Sequence, residues 1–341
     1  MMMEQNTSRM QALVTTDNQA KPLALMDIPR PVPNAEDILV RVFASGINPV
    51  DAKQREQANK LGASRVLGFD GFGEVVALGE RVANFKVGDQ VFYAGQLNRT
   101  GSNAEYEVVD ARIAALAPKN VSPAAAAAMP LTFLTAYELL HDHFKLEMQM
   151  QAAKGKRLLI INGAGGVGLV MIQLAKWLGM EVIASASRPE TVQLVNDFGA
   201  DQVINHRDDY VAVVKSLNLA PVDYIAILHQ PEQHIEAAAE LIAPFGHIGA
   251  IVEPKAPLEV RKLKNKSASL DWEFMFTKTN TGYAVASQGQ ALALLSELME
   301  NGQILSTLTE TMSGLSVEVV EKAQNQVAAG TGLGKVVVTF D

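Results

Sequence analysis

Two patterns of hydrophobic positions divide the chain. The first third carries short apolar runs separated by Gly, Asp and Pro, which predict a small β-rich region. Its predicted strands are Ile38–Ser45, Gly71–Gly79, Val87–Phe92 and Glu105–Val109. Beyond Arg157, apolar strands that do not alternate with polar residues are separated by helices, as expected for a parallel sheet covered on both faces.

The second region has a regular order of predicted elements. Its strands are Arg157–Ile161, Val182–Ala186, Gln202–Ile204, Val222–Leu228 and His247–Val252. The intervening helices are Val167–Leu178, Glu190–Phe198, one ending near Ser216, and Glu232–Ile242. The fold class is therefore α/β, a Rossmann doubly wound parallel sheet joined to a β-rich domain.

Two segments flank this α/β region. Ser122 and Pro123 form a good N-cap and first helical residue, so a helix is predicted through Ala124–Ala128 toward His141. The tail carries a predicted helix, Ala284–Met299, and a closing strand, Lys335–Phe340.

Composition narrows the classes of function. The 341 residues suggest about two domains, and a formal net charge of −8 argues against a general nucleic-acid or anionic-membrane binder. The chain has no cysteine, which excludes disulfides, Cys-ligated zinc, iron–sulfur clusters and a thiol nucleophile. No G-x-S-x-G elbow is present, so a serine hydrolase is set aside.

Nothing in the sequence resembles a targeting or spanning segment. Met1–Met10 has neither a basic n-region nor an apolar h-region, so no signal peptide is predicted. Leu158–Ala175 is long and apolar, but Asn162 and several glycines interrupt it. A strand and a helix joined by a glycine turn explain that segment better, and we predict a cytoplasmic protein.

A glycine motif follows the first strand of the α/β region. Gly163, Gly165 and Gly168 fit G-x-G-x-x-G, and Gly166 and Val167 complete the turn. After a strand and before a helix, this pattern favours a dinucleotide pyrophosphate at the helix N-terminus. A glycine-rich turn without a ligand is the alternative.

The end of the next strand indicates which coenzyme binds. An NAD site usually has Asp or Glu there, whereas this chain has Ser185, Ser187 and Arg188. Arginine pairs with a 2′-phosphate, so NADPH is predicted. Ser187 could instead cap a helix in a capping box with Glu190, with Pro189 as its first residue, and Arg188 could be an ordinary solvated arginine.

Several motifs together resemble the medium-chain dehydrogenase/reductase superfamily, and within it the quinone oxidoreductases and the group often labelled zinc-type alcohol dehydrogenase-like. Besides the glycine loop, the motifs are Gly46-Ile47-Asn48-Pro49-Val50-Asp51, Gly68-Phe69-Asp70-Gly71-Phe72-Gly73, Val87-Gly88-Asp89, Asn103-Ala104-Glu105-Tyr106, Thr135-Ala136-Tyr137, Ser269–Phe276 and Gly334-Lys335-Val336-Val337. The resemblance implies a GroES-like catalytic domain at 1–127 and 279–341, and a Rossmann domain at 128–278.

The resemblance does not extend to zinc. Zinc-dependent relatives carry Cys in the turn that here reads Ser45-Gly46-Ile47, His at Phe69, and Cys at Leu131. Phenyl and isobutyl groups cannot ligate zinc. His141 with His143, and His229 with His234, form no visible three-ligand set, so no metal site is predicted.

The same resemblance implies further cofactor-binding residues. Asn48 would face the nicotinamide ribose or substrate, unless it only forms an Asx turn before Pro49. Thr135 would lie against the nicotinamide, unless it is a plain helix-interior hydroxyl. His206 stands where relatives often have Tyr near the adenosine phosphate, unless it is only a surface turn histidine. His229, at the end of the fourth strand, and Ile251, within the fifth, would also contact the cofactor.

Without zinc, hydride transfer to a quinone or an α,β-unsaturated carbonyl is the expected chemistry. Asn48, Lys53 or a backbone N–H would donate a hydrogen bond, although Lys53 could equally be a solvated lysine. The alternatives are an NADPH-binding regulatory or structural protein with little turnover, or an alcohol or aldehyde oxidoreductase. The partner expected is a small-molecule substrate, and Leu270–Phe276, as an edge strand, predicts a homodimer.

Overall fold

The computed structural model describes residues 8–18, 20–330 and 332–340. Most of the stretch tested for a signal peptide, residues 1–7, lies outside these described residues. The chain forms two compact units. It passes from the first unit to the second between Leu131 and Thr132 and returns between Met275 and Phe276. The short segment Gln303–Leu305 also belongs to the second unit.

The strands, in chain order, are β1 (Arg9–Thr15), β2 (Leu23–Pro29), β3 (Asp37–Ile47), β4 (Asp70–Leu78), β5 (Gln90–Ala94), β6 (Tyr106–Asp110), β7 (Ala114–Leu116), β8 (Arg157–Ile161), β9 (Glu181–Ser185), β10 (Gln202–Ile204), β11 (Val222–Ile227), β12 (Ile242–Ala250), β13 (Ser269–Trp272), β14 (Leu308–Ser313) and β15 (Lys335–Thr339).

The α-helices are α1 (Pro49–Leu61), α2 (Pro123–Ala127), α3 (Pro130–Glu138), α4 (Gly166–Trp177), α5 (Pro189–Asp197), α6 (Tyr210–Ser216), α7 (Pro231–Leu241), α8 (Arg261–Lys264), α9 (Thr277–Thr281), α10 (Ala286–Glu300) and α11 (Val317–Ala328). A 3₁₀ turn spans Ala111–Ile113 and a π-helical turn spans Leu139–His143.

The first unit is built around one mixed sheet. Its strand order is β14-β15-β3-β4-β5-β7, with β6 also pairing with β3, and β1 and β2 form a separate antiparallel pair. One face of the central strand β3 is buried, since Ile38, Val40, Val42 and Ala44 are each at most 3% exposed, whereas Arg41 on the other face is exposed. The predicted strand at Val87 begins only at Gln90, because Gly88 at φ +91° turns the chain and leaves Val87 exposed.

The second unit is an all-parallel sheet with the order β10-β9-β8-β11-β12-β13. This 3-2-1-4-5-6 order is that of a doubly wound nucleotide-binding sheet, and it confirms the predicted fold class. The apolar run of β8 lies at its centre, where Leu158–Ile161 are at most 1% exposed. Burial on both faces explains why these strands do not alternate apolar and polar residues.

The long apolar segment Leu158–Ala175 resolves into β8, a glycine turn and most of α4, as the sequence predicts. Among the helices of the described residues, none combines the length and the apolar composition that a membrane crossing requires.

The predicted helix from Ser122 is interrupted. Ser122 does cap α2, since its hydroxyl accepts from the Ala125 N–H at 3.2 Å. The helix ends at Ala127, however, and a new one begins at Pro130. Proline has no N–H to donate and disfavours helical geometry in the residue before it, which accounts for the break.

The predicted edge strand Leu270–Phe276 is shorter than expected. β13 pairs with β12 over Ser269–Trp272 and is the last strand on its side of the sheet. Its edge position therefore agrees with the prediction, whereas the chain leaves the sheet after Trp272.

Candidate nucleotide and substrate site

The turn between β8 and α4 has the close contacts that a G-x-G-x-x-G motif requires. A Cβ on Gly168 would lie 2.3 Å from the carbonyl oxygen of Gly163, and one on Gly163 would lie 3.0 Å from the Cβ of Ala184. Larger residues at these two positions would push helix and strands apart. At Gly165 the nearest atom to an added Cβ is 3.8 Å away, so this glycine borders open space.

The same turn presents a helix N-terminus. Gly165 is the N-cap of α4, a helix of 12 residues whose first turn carries no acidic side chain. Its first N–H groups and its dipole favour an anion there. The glycine turn and this N-terminus fit the pyrophosphate of a dinucleotide.

Ser185 connects the glycine turn to the next strand end. Its side chain is 1% exposed, and its hydroxyl accepts a hydrogen bond from the Asn162 N–H at 2.8 Å. The Ser185 carbonyl also accepts from the Gly163 N–H at 2.9 Å. Ser185 therefore holds the turn in place, a role that the sequence motif does not reveal.

A pocket of about 350 Å³ opens beside this strand end. Its lining residues come from the ends of β9 and β10 and from the start of α5: Ala186, Ser187, Arg188, Pro189, Val192, Val203, Ile204 and Asn205. The Arg188 guanidinium is partly exposed and pairs with Glu190 at 3.2 Å. The pocket thus combines apolar walls with a cation, as a phosphorylated adenosine requires.

The helix cap at this pocket differs from the predicted one. The N-cap of α5 is Arg188, and Thr191 completes the local hydrogen bonds by accepting from the Arg188 N–H at 3.0 Å. The prediction of a capping box between Ser187 and Glu190 is wrong by one residue, although Pro189 does begin the helix. Ser187 instead lines the pocket.

Three histidines lie near the carboxyl ends of β10 and β11, two of them after these strands and His234 within α7. The Nδ1 atom of His206 lies 3.1 Å from the Ser185 hydroxyl, and its ring meets that of His234 edge-on at 6.2 Å. The hydroxyl of Tyr210 lies 3.2 Å from Nδ1 of His234. Burial lowers the pKa of both His206 and His234, and exposed His229 lowers both further. His206 is therefore more than a surface turn residue.

Three further residues predicted to contact the cofactor belong to this unit, and the position of one of them differs from the prediction. Thr135 is buried in α3, and His229 follows β11 by two residues. Ile251 was predicted within the fifth strand, but β12 ends at Ala250, so Ile251 lies just past the carboxyl end of the strand. Strand ends are where ligands bind in such sheets.

The first unit contains a buried polar cluster around Asn48. Nδ2 of Asn48 donates to Oδ2 of Asp70 at 2.8 Å and to the Gly46 carbonyl at 3.3 Å. Nζ of Lys335 donates to Oδ1 of Asn48 at 2.5 Å, to Asp70 Oδ2 at 3.0 Å and to the Ile47 carbonyl at 3.0 Å. The amide of Asn48 is thereby fixed in one orientation, and both of its hydrogens have acceptors.

A second carboxyl group adjoins this cluster. Oδ2 of Asp51 accepts from the Asn48 N–H at 2.8 Å, whereas Oδ1 is buried without a hydrogen-bond partner. Burial raises the pKa of Asp51 to about 7, against the lowering effects of the Asn48 N–H and of Lys335. Lys335 already compensates the charge of Asp70, so a second buried carboxylate would lack a counterion.

Sequence reasoning missed this buried polar cluster, apart from Asn48. Asp51, Asp70 and Lys335 all stand inside the motifs that carry the family resemblance, and that was the available signal. Lys53, by contrast, was singled out and lies exposed on α1.

The zinc positions of the relatives are filled by groups that do not fit the metal. The Ser45 hydroxyl is engaged with the hydroxyl of Ser102 at 2.8 Å, and the Phe69 ring packs against Phe276 at 5.0 Å. Leu131 offers a hydrocarbon side chain. Among residues 8–18, 20–330 and 332–340, no three His, Asp or Glu side chains form a cluster suited to a metal ion. This donor set does not fit zinc.

These two units define a class of protein, a nicotinamide-dinucleotide oxidoreductase with a Rossmann domain and a GroES-like domain. Two family models match: "Alcohol dehydrogenase GroES-like domain" over residues 34–119 and "Zinc-binding dehydrogenase" over residues 166–288. A zinc-type alcohol dehydrogenase-like protein of Staphylococcus aureus is 41% identical over 91% of this chain and 93% of its own length. The chain belongs to the medium-chain dehydrogenase/reductase superfamily.

Other similar proteins carry more specific names. An NADPH-dependent alkenal/one oxidoreductase of Arabidopsis thaliana is 34% identical over 62% of this chain and 56% of its own. A Rhizobium etli structure assigned as a zinc-dependent alcohol dehydrogenase has a TM-score of 0.90 at 36% identity, covering 97% and 98% of the two chains. A mycobacterial protein solved with NADPH has a TM-score of 0.81 at 26% identity, covering 97% and 99%. The quinone oxidoreductase of Coxiella burnetii has a TM-score of 0.79 at 26% identity, covering 97% and 99%.

Proposed function

We propose that this protein reduces a quinone or an α,β-unsaturated carbonyl with NADPH and without zinc. The observation that carries the proposal is the Arg188 pocket, which offers a cation and no strand-end carboxylate where the 2′-position of the coenzyme would lie. The absence of zinc-ligating groups at Phe69 and Leu131 supports it. The names of the Arabidopsis and Coxiella relatives favour the same substrate classes.

The coenzyme would be held by the strand ends of the second unit. Gly163, Gly165, Gly166, Val167 and Gly168 would surround the pyrophosphate at the N-terminus of α4. Ser187 and Arg188 would bind the 2′-phosphate, and Ser185 would act by fixing the glycine turn. In this proposal Thr135, His206, His229 and Ile251 line the rest of the nucleotide path.

NADPH, when bound, supplies a hydride to the electron-poor carbon of the substrate. The oxygen of the substrate then carries the negative charge, which a hydrogen-bond donor stabilises, and water supplies the proton that completes the reduction. Asn48 would donate to that oxygen by exchanging its longer hydrogen bond, the one to the Gly46 carbonyl. Lys53, which is exposed on α1, is the other candidate donor.

The test measures NADPH and NADH oxidation at 340 nm with a panel of quinones and enones. An Arg188→Ala variant should lose about ten- to a hundredfold in kcat/KM for NADPH and little for NADH, because a charge-assisted contact to the phosphate is removed. Arg261→Ala is the matched control, since Arg261 pairs with Glu259 two residues away at 2.7 Å, as Arg188 pairs with Glu190.

Three results would count against the proposal. Preference of the wild type for NADH, or equal damage to both coenzymes in Arg188→Ala, would overturn the phosphate assignment. NADPH binding without turnover on any quinone or enone would favour a regulatory NADPH-binding protein instead.

A further inference from the structure

The three-histidine cluster lies beside the nucleotide pocket, and the proposed function gives two of its members only a place along the nucleotide path. His206, His229 and His234 follow β10, β11 and the start of α7, at the carboxyl edge of the parallel sheet. Of the three, His206 is linked to the glycine turn: its Nδ1 atom lies 3.1 Å from the hydroxyl of Ser185, which holds that turn in place. A titratable group at this place would bear on which coenzyme binds.

We propose that His206 is a protonatable determinant of coenzyme choice: its imidazole takes up a proton when the 2′-phosphate of NADPH binds, so that selectivity for NADPH over NADH falls as pH rises. This inference rests on the proposed use of NADPH.

The pairing of the strands brings His206 to the phosphate side of the pocket. β9 and β10 are parallel, and Ser185 pairs with Ile204. The Ala186 N–H still donates to the Ile204 carbonyl at 2.9 Å, so the two chains continue side by side past the strand ends. Two residues further along each chain stand Ser187 and His206. Ser187, Arg188 and Asn205 line the pocket itself.

The Ser185 hydroxyl can form a hydrogen bond with His206 whether the imidazole is neutral or protonated. The Ser185 oxygen accepts from the Asn162 N–H at 2.8 Å, which leaves its own hydrogen to donate to Nδ1 of neutral His206. The proton of the neutral ring then lies on Nε2, which is thereby a donor. When the ring gains a second proton on Nδ1, the serine oxygen can accept it by rotating its hydroxyl. A backbone carbonyl in that place would allow no such exchange.

The surroundings of His206 favour its neutral form in the absence of a bound anion. Burial is the main cause that lowers the pKa of His206, and Arg207 and His229 add to it. His234 faces it edge-on, and Tyr210 beside His234 stays neutral because burial raises the pKa of its hydroxyl to about 12. Glu232 favours the charged form of His234.

The neighbouring strand end contributes a further cation. Arg188 is held by Glu190 at 3.2 Å, so one carboxylate already compensates it. A 2′-phosphate is a dianion above about pH 7 and brings two negative charges to this place. Because Glu190 already offsets part of the charge of Arg188, protonated His206 would add a positive charge beside the phosphate. NADH, which has only a hydroxyl there, brings no charge to offset.

The experiment is isothermal titration calorimetry of NADPH and of NADH at pH 7.5, in buffers of different ionisation enthalpy. The slope of heat against buffer enthalpy gives the protons taken up. NADPH should take up a measurable fraction of a proton, up to about one, and NADH none. Between pH 6.5 and 8.5, the ratio of the NADPH to the NADH dissociation constant should rise by at most about tenfold per pH unit, because one proton is linked.

His206→Asn and His206→Gln should abolish the uptake and flatten this pH dependence. His141→Asn is the matched control, since His141 is exposed and hydrogen-bonded to the Leu146 carbonyl at 2.9 Å, outside the cluster. The fluorescence of Trp177 and Trp272, which both belong to the second unit, reports whether that unit folds in each variant.

Each contrary outcome is distinct. NADPH binding with no uptake beyond that of NADH would overturn the role of His206 and leave the proposed function intact. Uptake that persists in folded His206 variants would place the proton on another group and also overturn it. Failure of NADPH to bind the wild type would overturn the proposed function and this inference together.

Discussion

At the scale of single residues, the buried cluster of Asn48, Asp51, Asp70 and Lys335 is the most unusual feature of the protein. Asp70 has the ammonium of Lys335 as its counterion at 3.0 Å, and the Leu131 N–H donates to its other oxygen at 2.6 Å. Asp51 has no cation of its own. Removing one partner from such a group is costly, because the remaining charge stays buried and uncompensated.

Asp51 should make the stability of the first unit depend on pH. Its folded-state pKa is about 7, above the ordinary 3.8, so the folded state holds the proton more tightly than the unfolded chain. The contribution is complete below about pH 4 and is lost as pH rises through 7. Asp51→Asn, which keeps an acceptor for the Asn48 N–H, should remove up to about 4 kcal/mol of this dependence.

The measurement is hydrogen exchange of peptides from β3 and β15 at pH 5 and pH 8, because both tryptophans belong to the other unit and do not report on this one. Asp197→Asn, at an exposed carboxyl group on α5, is the control. An equal pH dependence in wild type and Asp51→Asn would contradict the prediction.

Some features of the site can be predicted from a local stretch of sequence, whereas others depend on residues far apart in the chain. The glycine turn is local: its spacing, the strand before it and the helix after it are all visible in a few residues. The Lys335–Asp70 pair joins positions 265 residues apart, and no local pattern encodes that contact. The Asn48 amide was predicted to face a ligand, yet its orientation depends on this same distant lysine.

At the scale of elements, strands β8 to β11 were predicted to within one residue, because strands buried on both faces are continuous apolar runs. By contrast, β12 begins five residues earlier, and β13 ends four residues earlier, than predicted. The antiparallel pair β1 and β2 was missed. Leu25 and Met26 are apolar but exposed, so β2 lacks the alternation of apolar and polar residues that predicts a half-buried strand. α1 was missed because its 13 residues are mostly polar. Helix α2 was predicted too long because the alanine run hid the effect of Pro130.

The edge strand β13 carries a prediction about assembly. β13 is the last strand in the sheet order, so one of its edges is not paired within the sheet. Trp272, at its end, is 46% exposed, and Phe274, two residues further on, is 50% exposed. Such an edge favours pairing with a second copy. We therefore expect a homodimer of about twice 36.7 kDa, and the double variant Trp272→Glu/Phe274→Glu should dissociate it.

Sedimentation velocity at micromolar concentration distinguishes the two states. Tyr283→Glu is the control, because Tyr283 is 75% exposed but belongs to the other unit. A wild type that sediments as a 36.7 kDa particle would refute the prediction.

At the scale of the whole molecule, the name of the matching family model disagrees with the residues found at the zinc positions. The chain matches a family model described as a zinc-binding dehydrogenase, yet Ser45, Phe69 and Leu131 occupy the positions that the relatives use for zinc. We expect purified protein to contain far less than one zinc per chain and to keep its activity in a chelator. Elemental analysis, with a zinc-containing alcohol dehydrogenase purified in parallel, makes the comparison. A tightly bound zinc in each chain would refute it.

The position of β15 has a consequence for how the protein is made. This strand lies between β14 and β3 in the sheet of the first unit, and it carries the only cation that neutralises Asp70 in the described cluster. On the ribosome, β3 and β4 emerge early and must wait for the last part of the chain, whereas nearly all of the second unit has been synthesised long before. During synthesis there would therefore be a stage at which most of the second unit has been made while Asp70 still lacks the ammonium group of Lys335.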